Sequence, residues 1–300
     1  MRSVKLPPGL MQRPLAPGDE SAVTAVISAG QLADLGEVVV EEADVVSDWQ
    51  RPSFDVGAST IGILDGDRLV AYAELSGGDR GDAAVHPDYR GRGIGSHLAA
   101  WMQEQARGRG LRAIGMPVPK GSPGDRLLEG LGYRVRWTSW VLALPEGRSI
   151  EDRSLPPGYA IHTATDSDHR AAWSVIEDAF LEWAVRDRQS FEDFSAQVMQ
   201  RPGFEPWNLR VVTDQSGEVV GAALILLADE VGFVERVAVR KDQRGLGLGQ
   251  ALLADAFAQA RVHGASRSEL STDSRTGALG LYESVGMEVT SVWVNRAIDL

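Results

Sequence analysis

The sequence predicts an α/β protein made of two tandem domains, each with a mixed sheet of the α+β kind. Residues 90–95 have the sequence RGRGIG, and 154 positions later residues 244–249 have the sequence RGLGLG. A second motif, LPPG, occurs at 6–9 and again at 155–158. A chain of 300 residues is long enough for about two domains. The two repeated motifs therefore indicate a duplicated fold.

The elements before each glycine motif follow the same order in both halves. A short strand and an acidic segment that starts a helix follow each LPPG motif, and a hairpin comes next. The residues Asp65-Gly66-Asp67 and Gln215-Ser216-Gly217 are typical of hairpin turns. In the second half the long apolar runs 219–228 and 231–239 predict the strands of the hairpin.

Each glycine motif is followed by a predicted helix, because apolar residues recur there at helical spacing. These residues are Ile94, Leu98, Trp101, Met102 and Ala106 in the first half, and Leu252, Leu253, Ala256, Phe257 and Ala260 in the second. A further strand, at 268–272 in the second half, then a helix and closing strands complete each half. We predict an N-terminal domain over 1–145, a linker over 146–157 that is rich in Pro, Gly and charge, and a C-terminal domain over 158–300.

Composition excludes several classes of chemistry. The absence of cysteine excludes disulfides, thiolate metal sites and an acyl-cysteine intermediate. The five histidines show no metal-ligand spacing, so we expect no metal. A formal charge of −12 disfavours nucleic acid and mildly favours a cationic substrate. With no apolar signal core and no membrane-length apolar run, we expect a cytoplasmic monomer or homodimer without membrane contact.

The glycine motifs predict an anion site. Glycine adopts positive φ without strain, so consecutive N–H groups converge at a helix N-terminus whose dipole favours negative charge. A diphosphate fits this geometry. The motifs differ from the dinucleotide fingerprint, since Ser96 and Gln250 stand where its third glycine is required, and no P-loop GK[ST] occurs. An ordinary helix-capping turn is the structural alternative.

The pattern [Gln/Arg]-x-x-Gly-x-[Gly/Ala] between strand and helix resembles the signature of the GNAT superfamily of N-acetyltransferases. The resemblance covers most of both halves, is weakest over 30–57, and implies that acetyl-CoA or another acyl-CoA binds at the motifs. The implied cofactor-binding residues are Arg90, Gly91, Arg92, Gly93, Ile94, Gly95 and Ser96 in the first half and Val237, Ala238, Val239, Arg244, Gly245, Leu246, Gly247, Leu248, Gly249, Gln250 and Ser274 in the second.

The same resemblance implies the catalytic residues. The segment 281–287, LYESVGM, is similar to the family's Leu-Tyr-Glu-x-Leu-Gly-Phe, which makes Tyr282 the general acid for the leaving thiolate. Glu235, on the strand before the motif, is the nominee for general base, with an ordinary surface or ion-paired glutamate as the alternative. Leu128 holds the tyrosine position in the first half. We therefore expect catalysis in the C-terminal domain and a degenerate N-terminal domain.

In the family that the sequence resembles, the first helices and their loop shape the substrate pocket, which implies Asp178, Phe180, Glu182 and Trp183 as substrate-binding residues. The aromatic side chains among them are equally explained as core. The carboxylates are candidates to meet a cationic amine.

The leading functional hypothesis is transfer of acetyl to a primary amine of a small molecule by direct attack in a ternary complex. A non-catalytic acyl-CoA-binding or regulatory module, a protein N-acetyltransferase and a mycothiol synthase-type enzyme are the alternatives. The tandem layout is similar to that of the mycothiol synthases, although Ser274 stands where relatives often carry asparagine.

Overall fold

The computed structural model describes residues 5–151 and 153–300, which form two compact units. The first unit holds the described residues up to Thr138, together with 196–202 and 293–300. The second unit holds 139–195 and 203–292, as far as these are described. The domain limits at residues 145 and 158 stay a prediction.

The first unit is a sheet of order β1-β2-β3-β4-β5-β12, in which only β4 and β5 run parallel among the paired neighbours. Its elements are β1 (Leu10–Arg13), α1 (Glu20–Leu35), α2 (Glu42–Trp49), α3 (Val56–Ser59), β2 (Thr60–Asp65), β3 (Arg68–Gly77), β4 (Arg80–Val85), α4 (Ile94–Gly108), β5 (Ala113–Pro119), α5 (Pro123–Gly130) and the end of β12 (Glu288–Asp299).

The second unit is a sheet of order β6-β11-β10-β9-β8-β7, with β10 and β11 parallel and the other neighbours antiparallel. Its elements are the end of β6 (Arg134–Ala143), β7 (Ala160–Thr163), α6 (His169–Phe180), α7 (Phe191–Gln197), β8 (Leu209–Thr213), β9 (Val219–Ala228), β10 (Val231–Val239), α8 (Leu248–Val262), β11 (Arg267–Asp273) and α9 (Leu279–Ser284). The last two residues of α7 belong to the first unit.

Each unit is closed by a strand from the opposite half of the sequence. Residues 293–299 of β12 pair with β5 in the first unit, and residues 139–143 of β6 pair with β11 in the second. In the first unit Arg296 of β12 forms a buried ion pair with Asp125 of α5 and also reaches Glu129, whose side chain is exposed. The chain's final residues are therefore part of the core architecture of the first unit.

Several sequence predictions are confirmed. The fold is a mixed α/β arrangement duplicated along the chain, and both glycine motifs lie between a strand and a helix. The strands predicted at 219–228 and 231–239 match β9 and β10 to the residue, and both hairpin turns lie between paired strands. The predicted strand 268–272 lies within β11.

Side chains of β3 alternate between two faces, as the period of a strand requires. Ala71, Ala73 and Leu75 pack in the core beneath α4. Tyr72 belongs to the other core cluster, beside α1 and α2, and Glu74 lies on that same face. This alternation places Tyr72 and Glu74 together on the face of β3 that is turned towards α1 and α2.

No helix in the described part of the chain is long and apolar enough to cross a membrane. Among those same residues, no three or more His, Cys, Asp or Glu side chains are grouped as metal ligands would be.

Candidate functional site

The second glycine motif forms a cradle at the N-terminus of α8. Gly245 and Gly247 both have φ of +80°, and Gly247 is the N-cap of the helix. The positive φ of Gly247 disfavours other residues there, and a Cβ would also displace the Arg153 side chain, whose Nε would lie 2.7 Å away. The first N–H groups of a helix lack intrahelical acceptors. The motif therefore presents main-chain donors and a positive dipole to an anion.

Arg244 supports this cradle through bonds to two other segments. Its Nε donates to the Val239 carbonyl at 3.1 Å, and its guanidinium donates to both carboxylate oxygens of Glu182 at 2.9 and 2.7 Å. The hydrogen bond from Arg244 lowers the pKa of Glu182 below its usual value. The structure thus joins Glu182, which the sequence nominates for substrate binding, to the glycine loop.

The first motif repeats this arrangement. Arg90 Nε donates to the Val85 carbonyl at 3.2 Å, and its guanidinium donates to Asp34 of α1 at 2.6 and 3.0 Å. Gly93, with φ of +87°, is the N-cap of α4. A Cβ on Gly95 would lie 2.6 Å from Leu127. Both motifs therefore hold the same kind of cradle, each fastened by an arginine and a carboxylate.

The remaining motif residues line or brace the cradles. Arg92 donates to the Asp88 carbonyl at 2.9 Å, while Ser96 lines a cavity of the first unit. In the second unit Gln250 accepts a hydrogen bond from Arg153 at 3.1 Å. Ser274 is exposed in the turn that follows β11.

The sheet opens beside each cradle. β10 pairs with β11 from Val231 to Val234, whereas its pairing with β9 continues to Val239. In the first unit the parallel pairing of β4 with β5 is recorded at Arg80 and Gly115. Backbone groups of 237–239 on the side towards β11 are consequently available to a ligand lying between the strands.

Glu235 lies at the irregularity where β10 changes register against β9, between Val234 and Arg236. Its side chain is exposed and lies 3.4 Å from Arg236, whose guanidinium is over the ring of Phe194 at 5.5 Å. An extra residue at such a bulge re-aims its side chain. The position therefore turns a carboxylate towards solvent at the start of the open segment of β10.

Tyr282 lies on α9 and packs against the core cluster of the second unit, which includes Leu252 and Leu270. Burial raises the pKa of Tyr282 above its ordinary value of 10. Within the described part of the chain, its hydroxyl makes no hydrogen bond. The phenol is thus kept protonated with its proton uncommitted.

The predicted substrate-binding residues form two groups. Phe180 and Trp183 have ring centroids 5.3 Å apart, and the Arg275 guanidinium lies 4.6 Å from the centroid of Trp183. Asp178 forms an ion pair with Arg188. Arg275 also pairs with Asp273 at the end of β11, which brings the aromatic pair beside the turn that leads to α9.

The first unit contains a cavity of about 840 Å³ that the sequence analysis did not anticipate. It reaches from Gly93 and Ser96 of the cradle to Tyr72 and Glu74 on β3. The available signal was a single acidic residue inside the apolar run 69–75, which a buried strand does not normally accommodate. Leu128, at the tyrosine position, is buried.

Two glycine cradles at helix N-termini, each beside an opened pair of parallel strands, define an acyltransferase of the acyl-CoA-dependent class. The chain belongs to the acetyltransferase (GNAT) family, whose model matches residues 33–125 and 167–287. It is a GNAT-type N-acetyltransferase with two tandem domains.

Relatives and solved structures agree with this assignment. The chain is 30% identical over 282 residues to a mycothiol acetyltransferase of Thermobispora bispora, covering 90% of this chain and 92% of the relative. A GCN5-related N-acetyltransferase structure from Sphaerobacter thermophilus has a TM-score of 0.76 and 27% identity, covering 98% and 97% of the two chains. A tandem GNAT protein from the clavulanic acid biosynthesis pathway shares the fold, with a TM-score of 0.71, 18% identity and coverage of 97% and 98%.

Proposed function

We propose that the protein transfers an acetyl group from acetyl-CoA to the primary amine of a small molecule, by direct attack in a ternary complex within the second unit. The observation that carries the proposal is Tyr282, a protonated phenol with an uncommitted hydroxyl in the same unit as an intact cradle. Leu128 at the corresponding position of the first unit has no proton to give.

The residues of the second unit fit an acyl-CoA. The cradle over 244–250 offers main-chain N–H groups to the diphosphate, and bulkier residues are disfavoured at Gly247. Main-chain groups of Val237, Ala238 and Val239 would polarise the thioester carbonyl as an oxyanion-stabilising donor does. The bound acyl-CoA supplies an activated carbonyl with a thiolate leaving group.

Three proton movements complete the reaction. The amine must lose a proton before it attacks, because an alkylammonium with a pKa near 10.4 is not nucleophilic. Glu235, exposed at the bulge of β10, is the proposed acceptor, directly or through water. As the C–N bond forms and the C–S bond breaks, the Tyr282 hydroxyl would donate its proton to the departing sulfur. The second proton that the nitrogen loses as the amide forms would return to the Tyr282 oxygen, directly or through water, and restore the phenol.

The function is tested by CoA-thiol release from acetyl-CoA with a panel of small amines, aminoglycosides, amino acids and cysteinyl-sugar analogues. We expect release that depends on one class of amine and is accompanied by the N-acetylated product in the mass spectrum. Binding of acetyl-CoA without turnover on any amine would favour the non-catalytic acyl-CoA module. Release only with peptides or proteins would favour protein acetylation.

A mycothiol-type acceptor is the second candidate, since relatives 30% identical over most of the chain carry the name mycothiol acetyltransferase. Selective turnover of the cysteinyl-sugar analogues in the same panel would support it. Turnover of simple amines with no preference for these analogues would count against it.

Glu182 provides a test of how the cradle is supported. Glu182→Gln removes the charge that pairs with Arg244, while the Arg244 bond to Val239 remains. Because the pair is partly exposed, we expect KM for acetyl-CoA to rise by about two- to fivefold with kcat little changed. Steady-state kinetics with each substrate varied in turn would measure this.

The matched control is Glu218→Gln, an exposed carboxylate that pairs with Arg240 in the same unit. It should leave both KM values unchanged. A rise in KM for the amine alone in Glu182→Gln would instead support the sequence prediction that Glu182 contacts the acceptor.

A further inference from the structure

The cavity of the first unit combines an anion cradle with an aromatic and acidic interior. One end is formed by Gly93 and Ser96 at the start of α4, and the other by Trp49 of α2 with Tyr72 and Glu74 of β3. At about 840 Å³ it is within the size range of small-molecule sites. All of its lining residues belong to the first unit.

Glu74 is a buried carboxyl group without a cationic partner. Its residue is 6% exposed, and in the described part of the chain no Lys, Arg or His side chain forms an ion pair with it. Trp49 Nε1 donates to its Oε2 at 2.9 Å. A buried charge ordinarily requires a compensating partner. Arg80 also lines the cavity and acts on Glu74 through space, but its guanidinium pairs with Asp82. The Glu74 carboxyl is therefore either protonated or open to a further cation.

The contacts of Ser76 show where a proton is held. The Ser76 hydroxyl lies 2.8 Å from Oε1 of Glu74 and 2.8 Å from Oδ2 of Asp82. A hydroxyl has one proton to donate, so one of these contacts requires a proton on a carboxyl group. Asp82 already accepts a hydrogen bond from Arg80 Nε at 2.9 Å, whereas Glu74 has no ion-pair partner among the described residues. The shared proton accordingly belongs to Glu74.

Burial, followed by the charge of Asp82, raises the pKa of Glu74 to about 7. Asp48 of α2 raises this pKa further, while the bonds from Trp49 and Ser76 oppose the shift. Asp82 is partly exposed, so the path from Glu74 through Ser76 to Asp82 connects the cavity with solvent. Glu74 can thereby exchange a proton near neutral pH.

A second polar group in the cavity is unsatisfied. Tyr72 is 5% exposed and lines the cavity two residues before Glu74, on the same face of β3. Its hydroxyl makes no hydrogen bond to any residue that the structure describes. Because Tyr72 lines the cavity, its hydroxyl is available to a polar group of a ligand that lies beside Glu74.

The acidic pair of Glu74 and Asp82 is specific to the first unit. Glu74 is opposite Asp82 in the ladder of β3 and β4, and Asp82 stands eight residues before Arg90. In the second unit Arg236 stands eight residues before Arg244, and the residue opposite it is Leu224. The second unit therefore has no acidic residue at the positions of Glu74 and Asp82.

We propose that the cavity of the first unit is a second acceptor site, which binds the ammonium group of an apolar primary amine against Glu74 and Tyr72. The proposal goes beyond the activity assigned to Tyr282, and it requires no turnover there. When the ammonium binds, the proton on Glu74 leaves through Ser76 and Asp82 to solvent. The carboxylate left on Glu74 then forms an ion pair with the bound ammonium, which keeps its proton.

The test is calorimetric titration of the full chain with 2-phenylethylamine, without acyl-CoA, in two buffers of different ionisation enthalpy. An ammonium ligand favours ionised Glu74 and lowers its pKa, so binding releases close to one proton at pH 6 and almost none at pH 8. With a pKa of about 7 in the free protein, the affinity should rise about tenfold from pH 6 to pH 8.

Glu74→Gln should weaken this binding at least tenfold and abolish the pH dependence. Tyr72→Phe keeps the ring packing and should weaken binding by about fivefold, which preserves the test if Glu74→Gln does not fold. Glu104→Gln, an exposed carboxylate on α4, is the matched control and should bind as the unaltered chain does.

Binding that is independent of pH, unchanged in Glu74→Gln, or absent at millimolar 2-phenylethylamine would overturn the proposal. The measurement is separate from CoA-thiol release. Loss of release in the amine panel with retained pH-linked binding would therefore refute the proposed function alone, and the reverse result would refute the second acceptor site alone.

Discussion

Tyr282→Phe is expected to lower kcat for amine acetylation by about a hundredfold or more, with KM for acetyl-CoA changed by less than about twofold. The substitution removes one hydroxyl while keeping the ring that packs against the core of the second unit. General acids typically contribute about 10²- to 10⁴-fold to a rate. Burial keeps the Tyr282 pKa above 10, so the phenol is protonated throughout the neutral range and its loss should matter at every pH from 6 to 9.

Single-turnover measurement of CoA-thiol release would isolate the chemical step from product release. The matched control is Tyr133→Phe, which removes a buried phenol that accepts from Gln103 in the first unit. It should reduce thermal stability slightly and leave kcat unchanged. An undiminished rate in Tyr282→Phe would show that Tyr282 is not the proton donor. It would also contradict the proposal that catalysis lies in the second unit and not in the first.

Arg296→Met is expected to destabilise the first unit by about 3 to 5 kcal/mol. Arg296 and Asp125 have side chains that are each 10% exposed, and Arg296 also reaches Glu129 at 3.1 Å and the Tyr133 carbonyl at 3.2 Å. Methionine fills similar space but leaves Asp125 buried without its cation. Calorimetry should show a fall in unfolding temperature on the order of 10 °C.

The pH dependence gives this prediction a second readout. Burial opposes ionisation of Asp125, but the Gly121 N–H and Arg296 outweigh it and hold the pKa of Asp125 below its usual 3.8. The stabilisation is therefore complete above about pH 4 and is lost as the pH falls through the lowered value. The difference between the two proteins should shrink in that acid range.

Arg240→Met is the matched control, because Arg240 forms exposed ion pairs with Glu218 and Asp242. Exposed pairs of this kind contribute little, so its unfolding temperature should change by no more than about 2 °C. Equal losses of stability in Arg296→Met and Arg240→Met would show that the buried pair of Arg296 and Asp125 contributes no more than an exposed pair.

Local patterns sufficed for much of the fold. The apolar runs at 219–228 and 231–239, with turn residues between and before them, predict β9 and β10 to the residue. The strand exchange was not predicted, because the residues of β12 specify a strand without specifying its neighbour. Its partner β5 lies more than 160 positions earlier in the chain.

The candidate site shows the same limit. The glycine motifs predict the cradles because positive φ is a local requirement met by Gly93 and Gly247. The bond from Arg244 to Glu182 joins residues 62 positions apart, and no periodicity indicates it. Glu74 was overlooked since its significance depends on Ser76, Asp82 and Trp49 meeting around it.

The exchange of closing strands also has a consequence for synthesis on the ribosome. Domains generally fold in order as they emerge, at about 5 to 20 residues per second. Here residues 293–299 pair with β5, so the first unit lacks its edge strand until residues 293–299 have been translated. For a period on the order of ten seconds the nascent chain exposes the open edge of β5. Stop codons or truncations that remove residues 293–299 should therefore damage the half of the protein that is translated first.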